Sequence, residues 1–288
     1  MMVEPRRSAA AGRVAPQDPL CKIPVFRPVA IKLLSVLQGE DADIFEVADL
    51  LSSDPGFAAE VLTLANSVVY ALPHRVNTVE RAIIVLGMER TRVLATRAAL
   101  QGMLRGLEEN AAVQNTWTHS RATAIIGGWL APFYRLHPDR AYTAALMHDI
   151  GRLGLLAAYT SRYAELLTKA AGTTQDLLEA ERLLSMDHCE AGRWLTKTWG
   201  LPQEFCLVAA HHHEPTQGSV GDKTDLVRLA CSMAQSLGFK AAPLIAHEPL
   251  DAVLDRIPSS ANPRSRFCLA DLNDYLQAEL SADSSTVH

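Results

Sequence analysis

The chain has 288 residues, of which 48% are hydrophobic and 20% charged, with a net charge of −5. The length exceeds one average domain and the apolar fraction supports a substantial core, while the acidic balance argues against a dedicated nucleic-acid or anionic-membrane binder. Five cysteines, Cys21, Cys189, Cys206, Cys231 and Cys268, are scattered without a C-x-x-C pair, which reads as reduced thiols of a cytoplasmic protein.

No apolar run approaches the ~18 residues that a membrane span needs. The first twenty residues carry charge, proline and alanine but no apolar central block, so they read as a flexible arm and not as a secretory leader. Pro28 suits the first position of a helix that Gly39 ends. Asp43 and Asp54-Pro55 are cap signals for two further helices. Pro73 marks a loop, and Asn77-Thr78-Val79-Glu80 has the form of a capping box. Gly87 separates the next helix from a longer one over roughly 89–107, with Val93, Leu94 and Leu100 inward and Arg90, Arg92, Arg97 and Arg105 on a solvated face. Sustained alternation of the kind a strand requires is absent.

The second half begins near Asn110. On the helix over about 113–129, His119 shares a line with Ala122, Ile126 and Trp129 and faces inward. Next comes AALMHDIGRLG, from Ala144 to Gly154, which places His148 and Asp149 in an otherwise apolar helical segment. A buried carboxylate is costly unless it is paired, hydrogen-bonded or bound to a cation. Neighbours on a helix lie ~100° apart, so both side chains reach one point. Arg152 is one turn further on, and Gly151 lets another backbone approach. A helix over about 161–170 follows, and then one capped by Thr173 or Thr174. His188 lies on an apolar line with Ala191, Gly192, Leu195 and Trp199. The helix from Pro202 ends in three histidines, of which His212 continues the buried face, His213 sits at its edge and His211 lies nearer solvent. Thr224 or Asp225 opens a further helix, and two more follow near 250–256 and 270–280. The four tryptophans, Trp117, Trp129, Trp194 and Trp199, read as packing.

The expected fold is therefore all-α, a helical bundle of two packed lobes that aim His119, His148, Asp149, His188, His212 and His213 at a common interior point. Imidazole and carboxylate are ligands for zinc, iron, manganese or nickel, and such ions can bind phosphate and activate water.

AALMHDIGRLG resembles the signature of the HD superfamily of metal phosphohydrolases. The chain as a whole is most similar to the HDOD family, a branch related to the HD-GYP cyclic-di-GMP phosphodiesterases. The first half carries SSDPGFAAEVLTLANS and VNTVERAIIVLG, and the second carries THS, MHDIGRLG, MDHCEAGRWL, WGLP and HHEP. The resemblance implies an arm over 1–20, an HDOD domain over 21–245 with an N-terminal lobe (21–107) and an HD-like lobe (108–245), a helical extension (246–282) and a frayed tail (283–288). It also implies a divalent-metal site at His119, His148, Asp149, His188, His212 and His213. Three departures bear on activity. Cys231 stands where the superfamily places a last metal-binding aspartate; Arg152 replaces the HD-GYP lysine; and Asn115 takes the place of a glutamate. Asn66-Ser67 matches the family's Asn-Ser pair, readable as a helix-end cap or as a contact in a ligand groove.

The family implies a signal-transduction output or regulatory module with a degenerate, non-catalytic metal site. It would act through a signalling protein partner or a small nucleotide ligand, without direct nucleic-acid or membrane binding. The alternative is a metal-dependent phosphohydrolase or phosphodiesterase acting on a nucleotide or cyclic dinucleotide, with Asp149 and Arg152 in the reaction.

Overall fold

The computed structural model describes residues 28–37, 42–67, 74–184, 186–214, 222–257 and 269–282, together with Leu20, Tyr70 and Leu72. The expected arm up to residue 19, Cys21, Gly39, Pro73, Cys268 and the tail over 283–288 lie outside them. Among the described residues there is no strand, only an isolated bridge between Gly172 and Ile245, as the sequence predicts for an all-α chain. None of the helices is long and apolar enough to cross a membrane.

The first lobe contains α1 (Pro28–Val36), α2 (Ile44–Ser52), α3 (Pro55–Ala65), α4 (Val79–Leu86) and α5 (Met88–Met103). The caps follow the sequence signals. Asp43 accepts from the Phe45 amide, and Asp54 accepts from the Gly56 and Phe57 amides, satisfying donors that a helix start leaves bare. Leu33, Leu34, Val47, Leu51, Phe57, Val61, Ile83 and Leu100 fill the interior. Gly87, at φ 76°, supplies the left-handed link between α4 and α5.

Two local expectations fail here. The cap of α4 is Thr78, which accepts from the Arg81 amide; this shifts the box by one residue, so Glu80 is not its partner. Arg92 is not on the solvated face. It is buried at 4% exposure, with its guanidinium 3.3 Å from Glu89, because α5 runs against the second lobe, where Arg140 also binds Glu89.

The second lobe is built on α6 (Ala111–Leu130), which packs on α7 (Pro138–Met147), α8 (Ile150–Lys169) and α12 (Lys223–Ser236). Around these lie α9 (Thr174–Leu184), α10 (His188–Thr198) and α11 (Gln203–His211). The segment around His148 and Asp149 is not one continuous helix. His148 closes α7 and Asp149 opens α8 with φ −97° and ψ 20°, so the pair sits at a corner where two helix ends meet. The helix expected from residue 161 is the second half of α8, beyond a non-helical Tyr159. The start of α12 is earlier than expected: Asp222, which accepts from the Thr224 amide, is its cap.

α8 and α10 touch backbone to backbone. A Cβ at Gly151 would lie 1.9 Å from the His188 carbonyl oxygen and 2.4 Å from the Gly192 nitrogen. Beyond α12 the chain crosses the lobe as a strap over 239–248. Its Ala246 amide donates to the Gly172 carbonyl at 2.7 Å, and the Glu248 carbonyl accepts from the Ser236 hydroxyl. It then forms α13 (Leu250–Leu254) on α12 and α14 (Leu269–Ala282) on α6, where Arg121 donates to the Glu279 carbonyl.

Candidate metal centre

Four helices and one helix junction deliver His119, His148, Asp149, His188, His212, His213 and Cys231 to one interior point. The Asp149 carboxylate is its middle. Oδ2 lies 3.7 Å from Nε2 of both His119 and His148. Oδ1 lies 3.6 Å from His188 Nε2 and 3.5 Å from His212 Nε2. His119 and His148 approach Nε2 to Nε2 at 3.3 Å, and His213 Nε2 lies 3.1 Å from His188 Nε2. The Cys231 sulfur is 3.5 Å from His119 Nε2, so the position matched to the superfamily's aspartate does enter the cluster. His211 pairs outside it with Glu214. Asn115 is half-buried one turn before His119.

Asn66 and Ser67 lie elsewhere, at the end of α3. The Asn66 amide donates to the Leu62 and Val76 carbonyls, and its oxygen accepts from the Val76 amide. That is the clip of the structural reading, and it commits both amide hydrogens.

The second ring nitrogens explain how the imidazoles are aimed. His119 Nδ1 donates to the Phe239 carbonyl at 2.8 Å, His148 Nδ1 to Ala145 at 2.6 Å, and His212 Nδ1 to Val208 and Ala209 at 3.2 Å. A carbonyl only accepts, so the proton sits on Nδ1 and a bare Nε2 faces the centre, the arrangement that metal-ligating histidines share. Burial holds His119, His148 and His212 below the ordinary imidazole value against the pull of Asp149, which keeps these rings neutral and able to ligate. Burial also pushes the Cys231 thiol up.

Glu181 escaped the sequence reading. It is fully buried on α9, accepts from both Nδ1 (2.7 Å) and the backbone amide (2.9 Å) of His188, and meets Arg152 and the Tyr163 hydroxyl. The available signal was its place one turn after Leu177, on the apolar stripe of α9. Cys189, read as filler, is also close: its sulfur lies within 4.8 Å of ligand atoms of His188, His212 and His213.

Burial opposes the charge on Glu181, but His188 and Arg152 outweigh it and hold the carboxyl down to about 2, from an ordinary 4.5. A depressed carboxyl stabilises the fold above its unfolded value and loses that stabilisation as pH falls through the folded one. Chemical denaturation between pH 6 and about 2 is therefore expected to show stability falling below about pH 4.5. The Glu181→Gln variant should start less stable and show a flatter dependence; an unchanged slope would refute the assignment.

The donor set fits a cation. Asp149 Oδ1 and His212 Nε2 are buried acceptors without a hydrogen-bond partner, facing each other at 3.5 Å. His119 and His148 oppose two further lone pairs. Buried polar atoms are rarely left unmatched, and a positive ion would answer all four. Arg152 reaches none of these four atoms. Its Nε donates to Asp149 Oδ2 and its terminal nitrogen to His188 Nε2, both at 3.0 Å. Burial works against the charge of Asp149, but Arg152 beside it holds its carboxyl well below the usual range.

Residues 23–215 match the HDOD domain family, about two thirds of the sequence. The chain belongs to the HDOD family. Two solved structures share the HDOD chain's fold. A candidate phosphohydrolase from Shewanella amazonensis SB2B is 23% identical with a TM-score of 0.62, over 96% of this chain and 94% of that one. A candidate signal transduction protein from Marinobacter aquaeolei VT8 is 22% identical with a TM-score of 0.66, over 93% and 58%. An uncharacterized protein of Treponema pallidum is 21% identical over 211 residues, which are 68% of this HDOD chain but 38% of that protein.

Proposed function

We propose that this HDOD chain is a signalling output module, responding to a regulatory protein partner or a small nucleotide ligand, and that its metal centre does not hydrolyse phosphoesters. The placement of Arg152 carries the reading. Phosphoester hydrolysis on paired ions needs both ions and a water between them. Here a guanidinium already donates to His188 Nε2, a nitrogen that a second ion would use. Cys231 adds to this, because a thiolate does not replace a hard bridging carboxylate. His119, His148, Asp149 and Cys231 would hold one divalent ion, which supplies positive charge to the Asp149 carboxylate and the bare imidazoles.

The full chain loaded with manganese, iron, nickel or zinc is expected to leave bis(p-nitrophenyl) phosphate and cyclic dinucleotides intact. Metal-dependent turnover that disappears in His148→Ala would overturn the reading. The second reading, a phosphohydrolase acting on a nucleotide or cyclic dinucleotide, is favoured by one observation. A cleft of about 310 Å³ lined by His212, His213, Arg228, Cys231 and Arg256 opens onto the histidines.

A further inference from the structure

We infer that Cys231 converts the His119–His148–Asp149 half of the centre into a thiolate-bound site for a single zinc ion. The inference rests on reading the cluster as a metal centre and adds the identity and number of the ion.

The spacing of the donors carries it. Zinc is held tetrahedrally at ~2.0–2.1 Å from imidazole nitrogen and ~2.3 Å from sulfur, which separates two nitrogens by about 3.3 Å and nitrogen from sulfur by about 3.6 Å. His119 Nε2 and His148 Nε2 stand 3.3 Å apart, and Cys231 Sγ stands 3.5 Å from His119 Nε2. The cysteine and both histidines group as mutual ligand candidates, all fully buried. Asp149 Oδ2, 3.7 Å from both nitrogens, is the fourth donor within reach. It can bind an ion while accepting from Arg152, since a carboxylate oxygen has more than one lone pair.

Two imidazoles, a thiolate and one carboxylate make a borderline-soft set, which favours zinc over manganese or magnesium. On binding, the sulfur–zinc bond forms from the sulfur's own electron pair and the thiol proton leaves to solvent. Arg152 also donates to His188 Nε2 in the opposite half, so the expected stoichiometry is one ion and not two.

The test uses the full chain stripped of metal and reloaded with zinc, cobalt or manganese salts. Elemental analysis is expected to give one zinc per chain. Cobalt in its place is expected to show a near-ultraviolet sulfur-to-cobalt charge-transfer band with the strong visible bands of tetrahedral geometry. Cys231→Ser should abolish the charge-transfer band and weaken zinc binding at least about tenfold, whereas Cys189→Ser should retain both. Cys231→Asp should shift preference from zinc toward manganese. Two zincs per chain, a manganese preference in the unaltered protein, or a band that survives Cys231→Ser would each overturn the inference. If Cys231→Ser fails to fold, the cobalt spectrum of the unaltered chain and of Cys189→Ser decides. None of these readouts depends on turnover, so they stand or fall separately from the non-catalytic reading.

Discussion

Gly151→Ala is expected to be more damaging than a methyl at any other of the described glycines whose surroundings are known. The new Cβ would sit 1.9 Å from the His188 carbonyl and 2.4 Å from the Gly192 nitrogen. Both are backbone atoms, so no rotamer change relieves the clash. α8 and α10 must part, and the interior facing them, including Leu153, Leu156, Ala191 and Leu195, loses its close contacts. A loss of about 4 kcal/mol or more is expected, exceptional for one substitution and a large share of the ~5–15 kcal/mol that holds a domain folded. Gly192→Ala is the control: its Cβ would meet the Ala209 Cβ at 3.0 Å, a side-chain contact worth about 1–3 kcal/mol of overpacking. Urea denaturation of the two variants measures the difference; equal midpoints would contradict the close approach described here. Because Asp149 opens α8 two residues before Gly151, Gly151→Ala is also expected to lower metal binding in whatever fraction stays folded.

Arg152→Met should produce the second largest effect, by a different physical route. The side chains are similar in length, but the guanidinium that neutralises Asp149 and Glu181 is gone. Both carboxylates are buried, at 1% and 0% exposure. Removing one partner from a buried ion pair costs about 3–5 kcal/mol, since the remaining charge keeps its desolvation penalty. The sign with pH follows. Without Arg152 the folded-state carboxyls titrate higher, so the defect is greatest at neutral pH and shrinks as acid neutralises them. Zinc should restore part of the lost stability through Asp149 and none through Glu181, which among the described residues meets His188, Arg152 and Tyr163. Thermal melts with and without zinc at pH 5 and pH 8 test both statements; a defect that grows in acid would refute the charge argument.

The sequence revealed most of the centre because its members announce themselves. Histidines on apolar lines, as at 119, 188 and 212, have few explanations in an apolar core, and the order of spacings did the rest. Helix starts were legible wherever an aspartate preceded the first turn, as at Asp43 and Asp54. The misses have a common cause: they depend on a neighbour that helical periodicity does not specify. Arg92 is buried by the second lobe, not by its own helix. Glu181 looks like one more acidic residue on α9 until His188 and Arg152 are folded onto it. The corner at His148 and Asp149 reads as continuous helix because the apolar residues on both sides of it keep helical spacing. Yet that corner aims two consecutive residues at one interior point.

The strap and α12 have a consequence for where the ion preference proposed above would reside. The stretch shared with the family ends at residue 215, yet the sulfur of Cys231 and the Phe239 carbonyl that fixes the tautomer of His119 both come later in the chain. A polypeptide cut at the family boundary keeps every histidine of the cluster and forfeits the groups that orient the first of them and soften its donor set. Under the zinc proposal, relatives alike up to that boundary would differ in the ion they favour wherever the later segment brings a different donor to the same imidazoles.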